Sequence, residues 1–481
     1  MADIEKKPLE DVEHSSHEEY ADASKQQVPP PPVEFSEAEV KKLYRKIDFR
    51  LMPILSLMYL LSFMDRGNAK IQGLVDQLHL TGNRYNIALK FRPSRWLPGI
   101  TVLWGIVMTL MGLVTTYPQL VGVRVCLGIA EAGLFPGVVY YLTLWYPRNK
   151  TAYRIGLFFG AATLAGAFSG LLAYGISFMS GVRGRLGWSW IFILEGIATV
   201  LVGVLAFILL HGADFPGAAK FLTDNEKAYI MWRKSSSALA SQYLYDNSVV
   251  GEAEHFKMRY VWSALGDWQL YLHILVYMSI ICPLYGISLF LPFGYTTAVT
   301  QLLTVPPYVF ATIVLLFFAH FSDKHHLRWP FIVAGQLMCL VGFAINISDT
   351  SRGAKYFGTF LCVGGSYSAF PILIAWLGNN VAGQYKRGVE MAAHIGIGNF
   401  SGAIASNIFR SQDAPRYAVG HGVEMGFVVM GLITVPILVF IYKGINAKRD
   451  REELAHDGKA RYNADELREL GDRAPDFRYT I

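Results

Sequence analysis

Four charged side chains sit where charge is expensive, and they form two acid–base sets. Asp65 and Arg66 are adjacent in SFMDRGNAK, and Arg124 and Glu131 stand seven apart in VRVCLGIAE. The apolar run Leu51–Met64 has only 14 residues, too few to cross a bilayer. Its helix must therefore continue through Asp65-Arg66-Gly67-Asn68-Ala69-Lys70 to Val75. That brings Asp65 and Arg66 near mid-membrane, where a charge costs about 2.5–3.5 kcal/mol and normally faces a cavity or a partner. Seven helical residues at about 100° each bring Glu131 to within about 20° of Arg124, on one face two turns along. An arginine offers a carboxylate a two-pronged fork, and a carboxyl in low dielectric holds a proton more readily than in water. The chemistry on offer is anion binding by Arg66 and Arg124 and proton coupling by Asp65 and Glu131. The plainer reading makes both sets neutralised ties between helices.

Other intramembrane polar groups are less specific. Glu195 in WIFILEGIA reads as structural, while Asn399 in HIGIGNFSG and Tyr285 in CPLYGISLFLP serve either a substrate or a neighbouring helix. No catalytic constellation emerges. His325-His326 lies in a basic loop without partner carboxylates, and nucleophile motif, phosphate-binding loop and metal-ligand cluster are all missing. The expectation is therefore no enzyme, no cofactor and no metal, and the missing phosphate loop argues against an ATP-driven pump. Cys126, Cys282, Cys339 and Cys362 fall inside apolar runs without CxxC spacing and read as packing residues.

The elements that must position these groups are membrane helices. Of 481 residues, 53% are hydrophobic and 17% charged, against about 25% charged in soluble domains. Charge gathers in the tails, the centre and a few short loops. Spans are predicted at 51–75, 98–117, 119–146, 154–178, 187–211, 268–291, 298–321, 329–348, 354–378, 389–410 and 422–442. The net charge of +6 comes from Lys and Arg flanking apolar runs, which sets orientation and excludes a nucleic-acid patch. The expected divisions are a disordered cytoplasmic tail (1–32), a five-span bundle (33–211), a cytoplasmic linker (212–267), a six-span bundle (268–443) and a cytoplasmic tail (444–481). Ser36 and Glu39 form a capping box ahead of an amphipathic segment whose Lys41, Lys42, Arg45 and Lys46 suit lipid headgroups. Gly156/Gly160, Gly166/Gly170 and Gly398/Gly402 read as close-packing pairs, and Pro306-Pro307 as a kink.

The odd span count is itself informative. The N-terminal segment, the linker and the Lys/Arg-rich tail all read as cytoplasmic. Six spans between linker and tail satisfy that, but five between N-terminus and linker do not. In the second half two spans precede the basic loop Ser322–Arg328. In the first half only one precedes its counterpart Lys90–Arg95, because DQLHLTGNRYNIAL is too polar and too short to cross. A helix is therefore inferred to be lost between about Leu89 and Lys90. Arg183 and Arg185, on a loop that should face outward, depart from the charge rule.

With these residues in view, a resemblance can be stated. SFMDRGNAKIQGL, LTGNRYNIAL, FRPSRWLPG, VRVCLGIAEAGLFPGVVYYLTLWYP, GWSWIFILEGI, QLLTVPPYV, AWLGNN and ELGDRAPDFRYTI resemble the fungal anion:cation symporters of the major facilitator superfamily, of the allantoate-permease and nicotinic-acid-permease type. The resemblance implies an all-α fold of two helical bundles, alternating access, and proton-coupled import of a small organic anion such as nicotinate or allantoate. It puts the protein in the plasma membrane as a multi-pass protein with both termini cytoplasmic. Proton coupling falls to Asp65 and Glu131, and substrate contact to Arg66 and Arg124. Family members have a second span after YNIAL, which this chain lacks; eleven spans remain. The competing readings are a proton antiporter of the same fold and a non-transporting sensor or defective splice form.

Overall fold

Apolar side chains cover the outside of the molecule while charged ones sit within it. Leu201, Ile208, Ile313, Phe317, Ile433 and Phe440 are exposed, whereas Arg124, Glu195, Glu390 and Glu424 are buried. That inversion is what a helical protein shows when its solvent is lipid. The computed structural model describes residues 33–69, 93–131, 133–147, 150–236, 258–289, 297–413, 417–455 and 470–481. Among them the chain contains helices and no strand.

The first bundle comprises α1 (Glu37–Ala69), α2 (Pro93–Met111), α3 (Tyr117–Glu131), α4 (Leu134–Trp145), α5 (Thr151–Ser177) and α6 (Gly187–Leu209). The linker contributes α7 (Asp224–Ser236) and α8 (Met258–Leu265). The second bundle holds α9 (Trp268–Leu289), α10 (Thr297–His325), α11 (Trp329–Ile347), α12 (Arg352–Asn380), α13 (Gln384–Gly398), α14 (Phe400–Ile408) and α15 (Ala418–Ala455). Eight helical stretches among the described residues are long and apolar enough to cross a membrane. The other three predicted spans fall on α1, α5 and the α13–α14 pair, which pack into the same bundles. The inferred loss between Leu89 and Lys90 lies outside the described residues.

The predicted capping box is present: the Ser36 amide donates to Glu39 Oε2 at 2.8 Å, and the Glu39 amide to Ser36 Oγ at 3.3 Å. The amide and hydroxyl of Ser36 hold the Glu39 carboxyl below its ordinary value. The segment it starts is not a separate amphipathic helix, because α1 runs unbroken for 33 residues into the first span. The linker repeats the device. Thr223 and Glu226 cap α7 reciprocally, and Lys46 Nζ reaches Glu226 Oε2 at 2.8 Å. Burial pushes the Glu226 carboxyl up, but Lys46 and the Thr223 amide outweigh it and hold it low.

Close helix approach follows the small residues. In the first bundle a Cβ at Gly196 would lie 2.6 Å from the Thr109 amide, so only glycine lets α6 touch α2. Between bundles, α5 runs along α10 and α12. A Cβ at Gly156 would meet Ala319 at 3.0 Å, and one at Gly166 would meet the Tyr308 ring at 3.0 Å. Gly156, Gly160 and Gly166 therefore lie at a packing seam, Gly398 and Gly402 do the same against α9, and the surroundings of Gly170 lie outside the described residues. Pro306 and Pro307 both fall inside the single helix α10. All four cysteines are free; Cys126 faces outward and the others are buried.

Candidate functional site

Two of the predicted spans meet at the bundle boundary. The predicted span 119–146 corresponds to α3 and α4, with Gly133 (φ −86°, ψ −12°) preceding α4. The predicted span 389–410 corresponds to α13 and α14, which run on through Asn399: its backbone stays helical (φ −66°, ψ −15°) and its amide donates to the Ile395 carbonyl at 3.0 Å.

A small cavity of about 40 Å³ lies beside these spans, between the bundles. The first bundle lines it with Tyr59 of α1, Phe135 of α4 and Phe159 of α5. The second contributes Tyr277 and Tyr285 of α9, Phe370 of α12 and Asn399, with aliphatic side chains between them. Tyr277 and Tyr285 are eight residues apart, so the cavity extends along roughly 12 Å in the middle of α9. Its rings touch across the boundary: Phe159 and Phe370 have centroids 4.4 Å apart, and Phe135 and Phe370 5.6 Å. The Tyr277 hydroxyl donates to Asn399 Oδ1 at 3.2 Å. Gly398 and Gly402 make room for the two tyrosines, since a Cβ there would lie 2.1 Å from Tyr277 and 2.9 Å from Tyr285.

Of the residues singled out in the sequence, Tyr285 and Asn399 line this cavity. Glu131 accepts a hydrogen bond from Ser62 of α1, joining α3 to the first span. Asp65 and Arg66 fall on the last turn of α1, and their side chains lie outside the described residues. Arg124 is buried, with its guanidinium 5.5 Å from the ring centroid of Phe192 on α6. Neither Arg124 nor Glu131 is in the cavity lining. Glu195 is buried on α6. Arg185 ties its loop to α2 by donating to the Gly112 carbonyl at 3.2 Å.

A tie between the bundles lies on the linker side. Asp323, near the end of α10, accepts from the Tyr153 amide in the first turn of α5 at 2.8 Å. A carboxylate there meets the positive end of the helix dipole. Arg328 Nη1 stands 2.7 Å from Asp323 Oδ1 and also donates to Ser322 Oγ at 2.9 Å. On the first bundle, Arg154 holds both oxygens of Asp48 at 3.1 and 3.0 Å.

Sequence reasoning missed a second polar cluster. Lys386, Glu390 and His394 stand on one face of α13, and Lys386 also meets Asp267 and Asp472. The i, i+4, i+8 spacing of Lys386, Glu390 and His394 was visible in the sequence. Asp267 and Asp472 lie 119 and 86 residues away from Lys386 and gave no local signal. The tail also folds onto this bundle. Trp376 Nε1 donates to the Thr480 carbonyl at 2.8 Å, and Arg449 Nη1 to the Phe477 carbonyl at 2.7 Å.

Two helical bundles facing one another across a central cavity, with apolar outer walls, are the architecture of a membrane transport protein. The Major Facilitator Superfamily family model matches residues 86–406. The MFS-type transporter cnsO of Penicillium expansum is 33% identical, the match covering 93% of this chain and 92% of that protein. The high-affinity nicotinic acid transporter of Saccharomyces cerevisiae is 30% identical over 91% of this chain and 84% of its own length. Among solved structures, the proton:xylose symporter XylE superposes with a TM-score of 0.57 at 14% identity, covering 82% of this chain and 95% of that one. The chain belongs to the Major Facilitator Superfamily and is a multi-pass membrane transporter of that fold.

Proposed function

We propose that the protein imports a small organic anion, nicotinate or a related carboxylate, together with protons. The observation that carries this reading is the cavity. Six aromatic rings drawn from both bundles line it, and at about 40 Å³ it is closed down around water-sized space, so a ligand would enter only as the rings of the two bundles part. Such a lining favours a flat ring held by stacking, with the Asn399 amide and the tyrosine hydroxyls to orient its polar edge. The relative named for nicotinic acid transport supports the same class. In this reading Tyr285 and Asn399 touch substrate, Arg66 and Arg124 supply positive charge for the carboxylate, and Asp65 and Glu131 exchange protons. The hydrogen bond between Ser62 and Glu131 supports the last assignment, because Ser62 lies one helical turn before Asp65.

The test is uptake of radiolabelled nicotinate into proteoliposomes with and without an inward proton gradient. Accumulation only with the gradient is the expected result; gradient-independent equilibration would remove the proton from the mechanism, and export against the gradient would favour an antiporter.

A specific observation favours a second reading, a form lacking one helix that binds without transporting. The alignment with the nicotinic acid transporter runs over 476 positions, more than 91% of a 481-residue chain can supply. That relative therefore has residues within the aligned part that this chain lacks. A chain that binds nicotinate yet shows neither uptake nor exchange would establish this reading.

A further inference from the structure

Residues 471–481 lie across the linker-side end of the second bundle as a strap. Gly471 (φ 59°) turns the chain into one short 3-10 turn, which gives way at Ala474 to extended backbone (φ −66°, ψ 148°). Extended backbone sends alternate side chains to opposite sides. Phe477 and Tyr479 are accordingly buried, while Arg478 between them reaches Asp450 at 2.7 Å and Glu453 at 2.6 Å on α15. Tyr479 stacks on Tyr442 with ring centroids 4.7 Å apart, and its amide donates to Asn446 Oδ1 at 2.9 Å. At the other end, Asp472 accepts from Lys386 Nζ of α13 at 2.6 Å and from Gln269 Nε2 of α9 at 3.2 Å.

The last two residues of the strap reach the turn that holds the bundles together. Asn380, the final residue of α12, grips Thr480 from both sides. The Thr480 amide and hydroxyl each donate to Asn380 Oδ1 at 2.8 Å, and Asn380 Nδ2 donates back to the Thr480 carbonyl at 3.0 Å. With Thr480 fixed, the next residue meets the turn between α10 and α11, where the Arg328 amide donates to the Ile481 oxygen at 3.0 Å. Arg328 is also the residue whose guanidinium holds Asp323 and Ser322, and Asp323 takes the Tyr153 amide of the first bundle. An unbroken run of polar contacts therefore leads from Asn380 through Thr480, Ile481, Arg328 and Asp323 to Tyr153.

The turn needs such an anchor. His326 within it has φ 56°, a left-handed conformation that residues other than glycine keep only where their surroundings impose it. Arg328 has a long side chain, and every rotamer left open before the bundles meet must be given up when they do. An amide fixed by the strap removes part of that freedom in advance.

We propose that Asn380 and the strap are positioning elements for the tie between the bundles. They hold the turn between α10 and α11 so that Arg328 presents Asp323 to the Tyr153 amide, and the linker side closes less readily when the strap is displaced. The Arg328–Asp323 pair is made in the open and closed arrangements alike; what the strap sets is where the pair is held. This role concerns the closing step and is independent of the solute carried and of proton coupling.

The full-length protein is reconstituted with spin labels at the exposed positions Arg45 of α1 and Lys443 of α15, one on each bundle. Distance distributions and the hydrogen exchange of the Arg328 amide are read for wild type, Thr480→Pro and Asn380→Leu, each with and without Asp323→Ala. Thr480→Pro removes the amide and hydroxyl donors from the strap and leaves every helix residue in place. Both strap variants are expected to speed Arg328 exchange and to raise the ratio of open to closed about two- to tenfold, the worth of one net hydrogen bond. In the Asp323→Ala background they are expected to add nothing, because the tie they act through is gone. Unchanged Arg328 exchange or an unchanged distribution in Thr480→Pro overturns the proposal. So does a shift of equal size with and without Asp323, which would make the strap a support of the second bundle alone. If Asn380→Leu does not fold, Thr480→Pro decides by the same comparison.

Discussion

Replacing Asp323 with asparagine should loosen the linker-side closure without unfolding either bundle. The carboxylate makes two close contacts, one of which crosses the boundary, and the charge of Arg154 on α5 adds a weaker attraction across it. Its pairing with Arg328 lies within the second bundle and is present whether the bundles are closed or apart, so it cancels from the closing equilibrium. The bond from the Tyr153 amide is made only when α5 and α10 meet. A hydrogen bond to a charged group contributes about 1.5–3 kcal/mol, and a neutral one about 1 kcal/mol. Asparagine retains an acceptor oxygen, so the net loss is about 0.5–2 kcal/mol, or roughly a 2- to 30-fold shift toward the open arrangement. Spin labels at the exposed positions Arg45 and Lys324, one on each bundle, report the separation as a distance distribution. A larger long-distance population in Asp323→Asn than in wild type is expected, and a larger one still in Asp323→Ala. Identical distributions in all three would show that this tie does not set the balance.

Gly398→Ala would put a methyl carbon 2.1 Å from the Tyr277 ring, an overpacking of about 1–3 kcal/mol. It should lower the thermal midpoint and weaken nicotinate counterflow together, whereas an unchanged midpoint and affinity would show that the ring has room to move. Glu131→Gln should reduce gradient-driven accumulation and spare exchange, and Arg124→Ala should weaken binding; normal rates and affinities in both would make these charges structural ties. Inserting an apolar helix of about 20 residues after Leu89 should raise uptake strongly, because groups left unshielded in hydrocarbon cost several kcal/mol each. Equal transport by the present and lengthened chains would count against a lost span.

The membrane fold was legible because the lipid imposes it residue by residue. Each predicted span needed only its own apolar run, and the second bundle's spans fall on α9 to α15 with shifts of a few residues. Asn399 and Tyr285 stood out as polar groups inside apolar runs and both line the cavity, whereas Glu131, marked by the same rule, lies outside that lining. Their partners were not legible. Glu131 meets Ser62 across 69 residues, and nothing in SFMDRG distinguishes that serine. The helical wheel put Arg124 and Glu131 on one face, yet the wheel takes no account of what packs there. Phe192 stands beside Arg124, so the ring and not the carboxylate is its nearby partner on that side. The aromatic lining escaped notice because Phe135, Phe159 and Phe370 look like ordinary apolar residues until their helices are brought together.

The packing at the boundary bears on how such a site could open alternately to two sides. Across the boundary, α5 offers Gly156, Gly160, Thr163 and Gly166, and α10 answers with Ala319, Thr312 and Tyr308. Side chains this short interlock little, so one helix can roll on the other at small cost in dispersion energy. Directional contacts are confined to few places, chiefly Asp323 with the Tyr153 amide and the hydroxyls of Thr163 and Thr312. A boundary held by a smooth seam and few polar bonds can be biased by about 1–2 kcal/mol at either end. Binding a flat anion among the rings of Phe135, Phe159 and Phe370 would supply a term of that size, since these rings belong to both bundles and can close on a ligand only together. If these rings hold the substrate, as the proposed function has it, the cavity needs no separate gate, because their distance changes when the bundles rock.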